Sequence, residues 1–291
     1  MAEQNEISDE IEIHLRSLVI ECLRKKREFG APLTVDSICD EIGRIAKDHG
    51  LKISQQNSWH EFNGTITLHA NLPPKIWDIV WDLIVEGVIR PGTGGVSGNS
   101  NLPSIHLTAF GFQALQYPDN PYDPDGYLKS INEKIPDVDD IILRYIAESA
   151  ETLRKNCLLS SSVTLGCASE KALLLLMDAY KDSLNQTDQA TFIKENEKEH
   201  SIKRRHQDFI QRYQNSLRKL LIGHMKSDRL TVLDNALNFV FNHFRDARNE
   251  AGHPTGTIPI RQEVHANLVL FPKYLEVIYE LKNWLLNNKR P

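Results

Sequence analysis

Apolar residues recur at helical spacing along most of this chain. Ile11, Leu15, Leu18, Val19, Cys22 and Leu23 mark one face of a helix over residues 10–29. Thr34, ahead of Val35-Asp36-Ser37-Ile38, reads as the N-cap of a second helix reaching residue 48. Pro73-Pro74 opens a third, which ends near Glu86 with Gly87 as its stop. Val88-Ile89-Arg90 and Ile105-His106-Leu107-Thr108 read as two strands around a Gly/Ser-rich tip, and another helix follows. Three prolines and a glycine between Tyr117 and Gly126 then break the pattern. Beyond them, helical periods over 138–156, 159–183, 202–222, 229–251 and 271–287 predict a bundle, with 254–269 as a longer connection. The expected organisation is mainly α: a first domain over 1–117, a Pro/Asp-rich linker over 118–137, and a helical bundle over 138–291.

Three helices, a hairpin and a helix in that order resemble a winged helix-turn-helix domain, with Leu107-Thr108-Ala109-Phe110-Gly111 as the exit from the wing. DNA binding is the usual role of such a domain. The third helix, however, carries Asp78, Asp82 and Glu86 beside Lys75, and displays Trp77 and Trp81. Carboxylates facing phosphates suit a groove reader poorly. A protein partner or dimer contact is therefore the first expectation for this domain, and nucleic acid the second.

Charge sharpens the contrast between the halves. Residues 1–118 carry 10 Lys/Arg against 15 Asp/Glu, whereas 119–291 carry 24 of each. Within the second half, residues 194–229 hold 10 basic and 5 acidic side chains, densest at Lys203-Arg204-Arg205-His206. Such a run is a solvated helix face or a phosphate-contacting surface, and Tyr213 nearby is either packing or a base-stacking platform. The four cysteines, Cys22, Cys39, Cys157 and Cys167, have neither C-x-x-C nor zinc-ligand spacing, so they read as reduced, mostly buried thiols. The longest apolar run, residues 172–177, is too short to span a bilayer, and the acidic N-terminus lacks signal-peptide order. A cytoplasmic protein with no metal, no cofactor and no membrane contact is expected.

Candidate chemistry concentrates in the helix over 229–251. Leu233, Leu237, Val240, Phe244, Ala247 and Ala251 form its inward seam. Phe241, Arg245, Arg248 and Gly252 lie on the next strip, followed by Asn242, Asp246, Asn249 and His253. A continuous helix would hold His253 about 140° from Arg248. Gly252 permits a left-handed helix end and Pro254 biases His253 away from helical angles, which lets the imidazole turn toward the guanidinium. Arginine offers a fork of donors matched to phosphate oxygens, and histidine exchanges protons near neutrality. Spacing alone does not select this pair, because Arg44…His49 and Arg218…His224 are spaced alike. Only Arg248-Asn249…Gly252-His253-Pro254 adds an amide directly after the arginine and a Gly-His-Pro exit.

Arg248-Asn249-Glu250-Ala251-Gly252-His253-Pro254 resembles the Arg-polar-x(3–5)-His mark of the HEPN family. Residues 160–171 and Phe271-Pro272-Lys273-Tyr274-Leu275…Trp284-Leu285-Leu286 share that family's look. The resemblance implies a metal-independent endoribonuclease, often a toxin or phage-defence effector, acting as a homodimer on RNA. It assigns His253 as general acid/base, Arg248 as stabiliser of phosphorane charge, and Asn249 as a hydrogen-bonding aid. Glu170 lies in line with Val163, Gly166, Cys167, Leu174 and Met177, an inward face, so it is expected to pair with Arg245 or Arg248. Lys203, Arg204 and Arg205 are the candidate RNA contacts. His200, His206, His224 and His243 read as surface or packing residues. Two alternatives stay open: a noncatalytic bundle that binds RNA, a nucleotide or a protein, and a DNA-binding regulator acting through the first domain.

Overall fold

The structure, a computed structural model, describes residues 2–25, 33–50, 61–62, 65–66, 72–92, 102–116, 120–197, 201–253 and 257–288, and is mainly helical. Most of the Gly/Ser-rich tip, His200 and Pro254 lie outside the described residues. The chain divides into two compact units, Met1–Tyr127 and Leu128–Pro291.

In the first unit, α1 (Ala2–Lys25), α2 (Val35–Asp48) and α3 (Leu72–Val85) turn their apolar stripes into one core. Leu15, Val19 and Leu23 meet Ile38, Ile42 and Ile45 there, together with Ile76, Val80 and Leu83. Strand β1 (Leu33–Thr34) precedes α2, and a short hairpin of β2 (Glu61–Phe62) and β3 (Thr65–Ile66) follows it. After α3, β4 (Ile89–Pro91) and β5 (Ser104–Leu107) complete an antiparallel sheet in the order β1-β5-β4, with Leu33 opposite Ile105 and Ile89 opposite Leu107. Thr34 does cap α2: its Oγ1 accepts from the Ser37 N–H at 3.1 Å, while Ser37 Oγ donates to the Thr34 carbonyl at 2.8 Å. Gly87 adopts φ +75°, so the Val88 N–H reaches back to the Leu83 carbonyl and ends α3. Helix α4 (Ala109–Ala114) closes this layer.

Two expectations for this unit are corrected. Glu86 is not displayed on α3: it is buried, 2.7 Å from Arg16 of α1. Part of the stretch read as a linker, residues 120–127, packs within this unit. Arg16 donates to the Tyr122 carbonyl, Ser17 Oγ donates to Asp123 at 2.6 Å, and the buried Tyr122 ring meets Phe110 edge-on. Helix α5 (Pro124–Lys134) begins at the third proline, with the Asp123 carboxylate accepting from the Gly126 N–H at 3.2 Å. Pro124, taken as a helix breaker, is here a helix start, since proline at the first position lacks only an N–H that has no helical partner. The thiols also differ from expectation. Only Cys22 is buried, whereas Cys39 and Cys167 are half-buried and Cys157 is exposed.

The second unit comprises α6 (Asp140–Arg154), α7 (Leu158–Ser183), α8 (Gln186–Glu197), α9 (Ile202–Arg212), α10 (Arg218–Leu221), α11 (Ser227–Asn235), α12 (Phe241–Gly252) and α13 (Arg261–Asn287). Helix α7 is the centre, packed against α6, α12 and α13 through residues such as Leu165, Ala168, Ala172 and Leu176. A π-turn over Tyr213–Leu217 joins α9 to α10, and a second over Ala236–Val240 joins α11 to α12. Helix α13 begins well before the expected 271, which shortens the connection from α12. Pro272, the second residue of the expected helix, sits inside α13. The proline removes one N–H, and burial of Val264 and Leu268 ahead of it outweighs that loss.

Candidate functional site

The π-turn ahead of α12 decides which residues face α7. The Phe241 N–H reaches back five residues to the Ala236 carbonyl. One extra residue in a turn rotates everything downstream by about 100° relative to a regular helix. Phe241, Phe244 and Arg245 are therefore buried, while Val240 and Ala247 are only half-buried. The seam expected through Val240 and Ala247 is thus corrected to one through Phe241, Arg245 and Arg248.

Arg248 comes against α7 at Gly166. A Cβ placed on Gly166 would collide with the Arg248 side chain and stand 3.2 Å from the Phe244 carbonyl. Glu170, one turn further along α7, puts Oε2 3.2 Å from Arg248 Nη2. On the other side, Arg248 Nη1 donates to Asn249 Oδ1 at 2.9 Å. The guanidinium is thus held between a carboxylate and an amide while remaining about one-third exposed. Burial lifts the Glu170 carboxyl above its ordinary range, and the charges of Arg248 and Arg245 oppose that rise. The second Glu170 oxygen is buried without a hydrogen bond. Arg245, 8% exposed, pairs with its neighbour Asp246 at 2.7 Å.

His253 stands exposed just past α12, in extended backbone at φ −90° and ψ 134°. Its N–H reaches the Glu250 carbonyl at 3.3 Å. Gly252 stays within the helix instead of turning left-handed, a correction with a simple cause: the bias that Pro254 places on the preceding residue suffices to end the helix.

Lys203 and Arg204 are exposed on α9 and Arg205 is half-buried, while His206 and Phe209 point inward. Tyr213 cannot stack on a base: its ring is fully buried, and its hydroxyl donates to Asp234 at 2.8 Å beside a forked Arg218–Asp234 pair. His243 is exposed, 2.7 Å from Asn267 Oδ1, and His224 lies near the Trp284 ring. A groove of about 480 Å3 opens along α12 and the start of α13, lined by His243, Asp246, Glu250, Glu263 and Asn267. Its three carboxylates make it a poor seat for a phosphate. Among the described residues, no three His, Cys, Asp or Glu side chains are placed to hold one metal ion, and no helix is long and apolar enough to cross a membrane.

Two contacts escape the sequence reading. Gly166 falls on the inward line of Glu170, and its cost mid-helix of about 1 kcal/mol relative to alanine signals a close approach without naming the partner. His206 reads as a surface or packing residue, and its target is a backbone carbonyl that no side-chain pattern reveals. No protein family, curated protein or solved structure matches the chain.

Proposed function

We propose that the chain is a metal-independent endoribonuclease whose second unit is a HEPN-like bundle and whose first unit is a winged-helix-like module. The observation that carries this reading is the exposed end of α12, where Arg248, braced by Glu170 and Asn249, is followed one helix exit later by His253. In the reaction, His253 takes the proton from an RNA 2′-hydroxyl, the oxygen attacks the adjacent phosphorus as the P–O5′ bond breaks, and the 5′-oxygen leaves with a proton given by an imidazolium, that of His253 or of its copy in the dimer. The products are a 2′,3′-cyclic phosphate and a 5′-hydroxyl. Arg248 stabilises charge on the phosphorane, and Asn249 fixes its orientation. A homodimer bringing two such helix ends to one cleft, a cytoplasmic setting and a role as toxin or phage-defence effector complete the reading. For the first unit, the strand order β1-β5-β4 with three helices supports the winged-helix assignment. Exposed Asp78, Trp81 and Asp82 on α3 favour a protein partner over DNA there.

One observation favours a second reading, a noncatalytic binding module: the groove beside α12 is acidic and suits a cationic ligand better than RNA. Incubating total RNA with the protein in EDTA separates the two. The wild type is expected to cut and leave cyclic phosphate ends, and His253→Ala to lose about 10²–10⁴-fold in rate. Cleavage that survives His253→Ala, or that stops on chelation, refutes the nuclease mechanism.

A further inference from the structure

Helix α9 and its continuation carry an inward stripe of His206, Phe209, Tyr213, Leu217 and Leu221, all buried. His206 is its one imidazole, 2% exposed, and it faces the second π-turn. Because the Phe241 N–H bonds to Ala236, the Leu237 carbonyl is passed over by its usual helical donor. That carbonyl lies 2.8 Å from His206 Nε2. The His206 ring also rests on the Phe241 ring, with centroids 4.3 Å apart. One side chain thus touches both the carbonyl that the π-turn releases and the first residue after the turn.

We propose that His206 is a positioning residue for the motif helix: its bond to the Leu237 carbonyl holds α12 one residue out of regular phase, so that Arg248 meets Glu170. A carbonyl only accepts, so Nε2 carries a proton. Nδ1 is buried without a hydrogen-bond partner, which fits a neutral ring. Burial pushes its pKa down, the Leu237 bond opposes this, and the nearby Arg245 charge adds to the fall. A phenyl ring keeps the stacking but loses the donor. A glutamine keeps a donor at nearly the same reach and loses the ring. The inference deepens the nuclease reading and rests on it only for the catalytic consequence.

The test measures coupling between residues 170 and 248, which needs no RNA. Double-mutant cycles of Glu170→Gln and Arg248→Met are read as shifts in urea midpoint in three backgrounds: wild type, His206→Phe and His206→Gln. Coupling is expected in wild type and His206→Gln and is expected to vanish in His206→Phe. Coupling that persists in His206→Phe overturns the proposal. Nitrogen-15 NMR of histidine-labelled wild type gives a second reading that survives a variant failing to fold. It should find His206 protonated at Nε2 only, and an Nδ1-protonated ring overturns the proposal. If the wild type cuts RNA, kcat in His206→Phe should fall about 100-fold, as for a catalytic group displaced by an ångström. A wild type that does not cut sinks the nuclease reading and leaves the coupling result standing.

Discussion

Glu170 is harder to ionise in the folded chain than in the unfolded one, because desolvation there exceeds the help of Arg248 and Arg245. The sign of the pH effect follows. From the unfolded value, about 4.3, upward to the raised folded one, the native state binds the proton more tightly, so its stability falls as pH rises. Glu170→Gln lacks that proton exchange. Urea midpoints at pH 4, 5 and 6 should therefore move in favour of the variant as pH increases, and parallel curves would contradict the raised carboxyl. The pairing of Glu170 with an arginine was legible in sequence, since a carboxylate in line with Val163, Gly166 and Leu174 needs a counter-charge. Which arginine it meets was not legible, because Arg245 and Arg248 lie on one strip and only a three-dimensional approach at Gly166 separates them. His253 was legible as a helix exit from Pro254 alone, and the supposed contribution of Gly252 proved unnecessary.

At the level of elements, regular periodicity located most of the helices, passed over the largely polar α5 and α8, and failed where the backbone departs from 3.6 residues per turn. The π-turn over Ala236–Val240 leaves no mark in the apolar pattern, since Val240 and Phe241 are both hydrophobic and either continues the seam. The start of α13 was missed as well: residues 254–269 read as a connection, although Val264 and Leu268 continue the buried stripe of the helix ahead of Phe271. Deleting Asn238 removes the extra residue and should let α11 and α12 run on as one regular helix with Phe241 and Arg245 still in the core, because each later residue then takes the position that its predecessor holds in a regular helix. Deleting the exposed His243 leaves the π-turn in place and instead turns Phe244 and Arg245 out of the core by about 100°. Such a loss should cost about 3 kcal/mol or more, as truncation of a core phenylalanine does. Urea unfolding of both deletions decides the matter. An Asn238 deletion as costly as the His243 deletion would mean that the turn does not set which face of α12 is buried.

Over the whole chain, charge is distributed by unit rather than by net value. Met1–Tyr127 carries 10 Lys/Arg against 18 Asp/Glu and Leu128–Pro291 carries 24 against 21, with the local excess of basic groups in residues 194–229. The acidic groove beside α12 turns phosphate away, so a polyanion approaching Arg248 is better guided by the exposed Lys203 and Arg204 of α9 than by the groove. Binding of single-stranded RNA to residues of this kind releases about 0.7 counterions per phosphate contact. In a His253→Ala background, which removes the general acid/base of the proposed mechanism, Lys203→Ala combined with Arg204→Ala should flatten the dependence of log affinity on log salt by about 1.4. Fluorescence polarisation of a labelled RNA across a potassium chloride series measures that slope. Arg205 stays in place because it is half-buried and its loss would mix packing with charge. An unchanged slope would move the RNA path off α9 and leave the basic run as an ordinary solvated helix face.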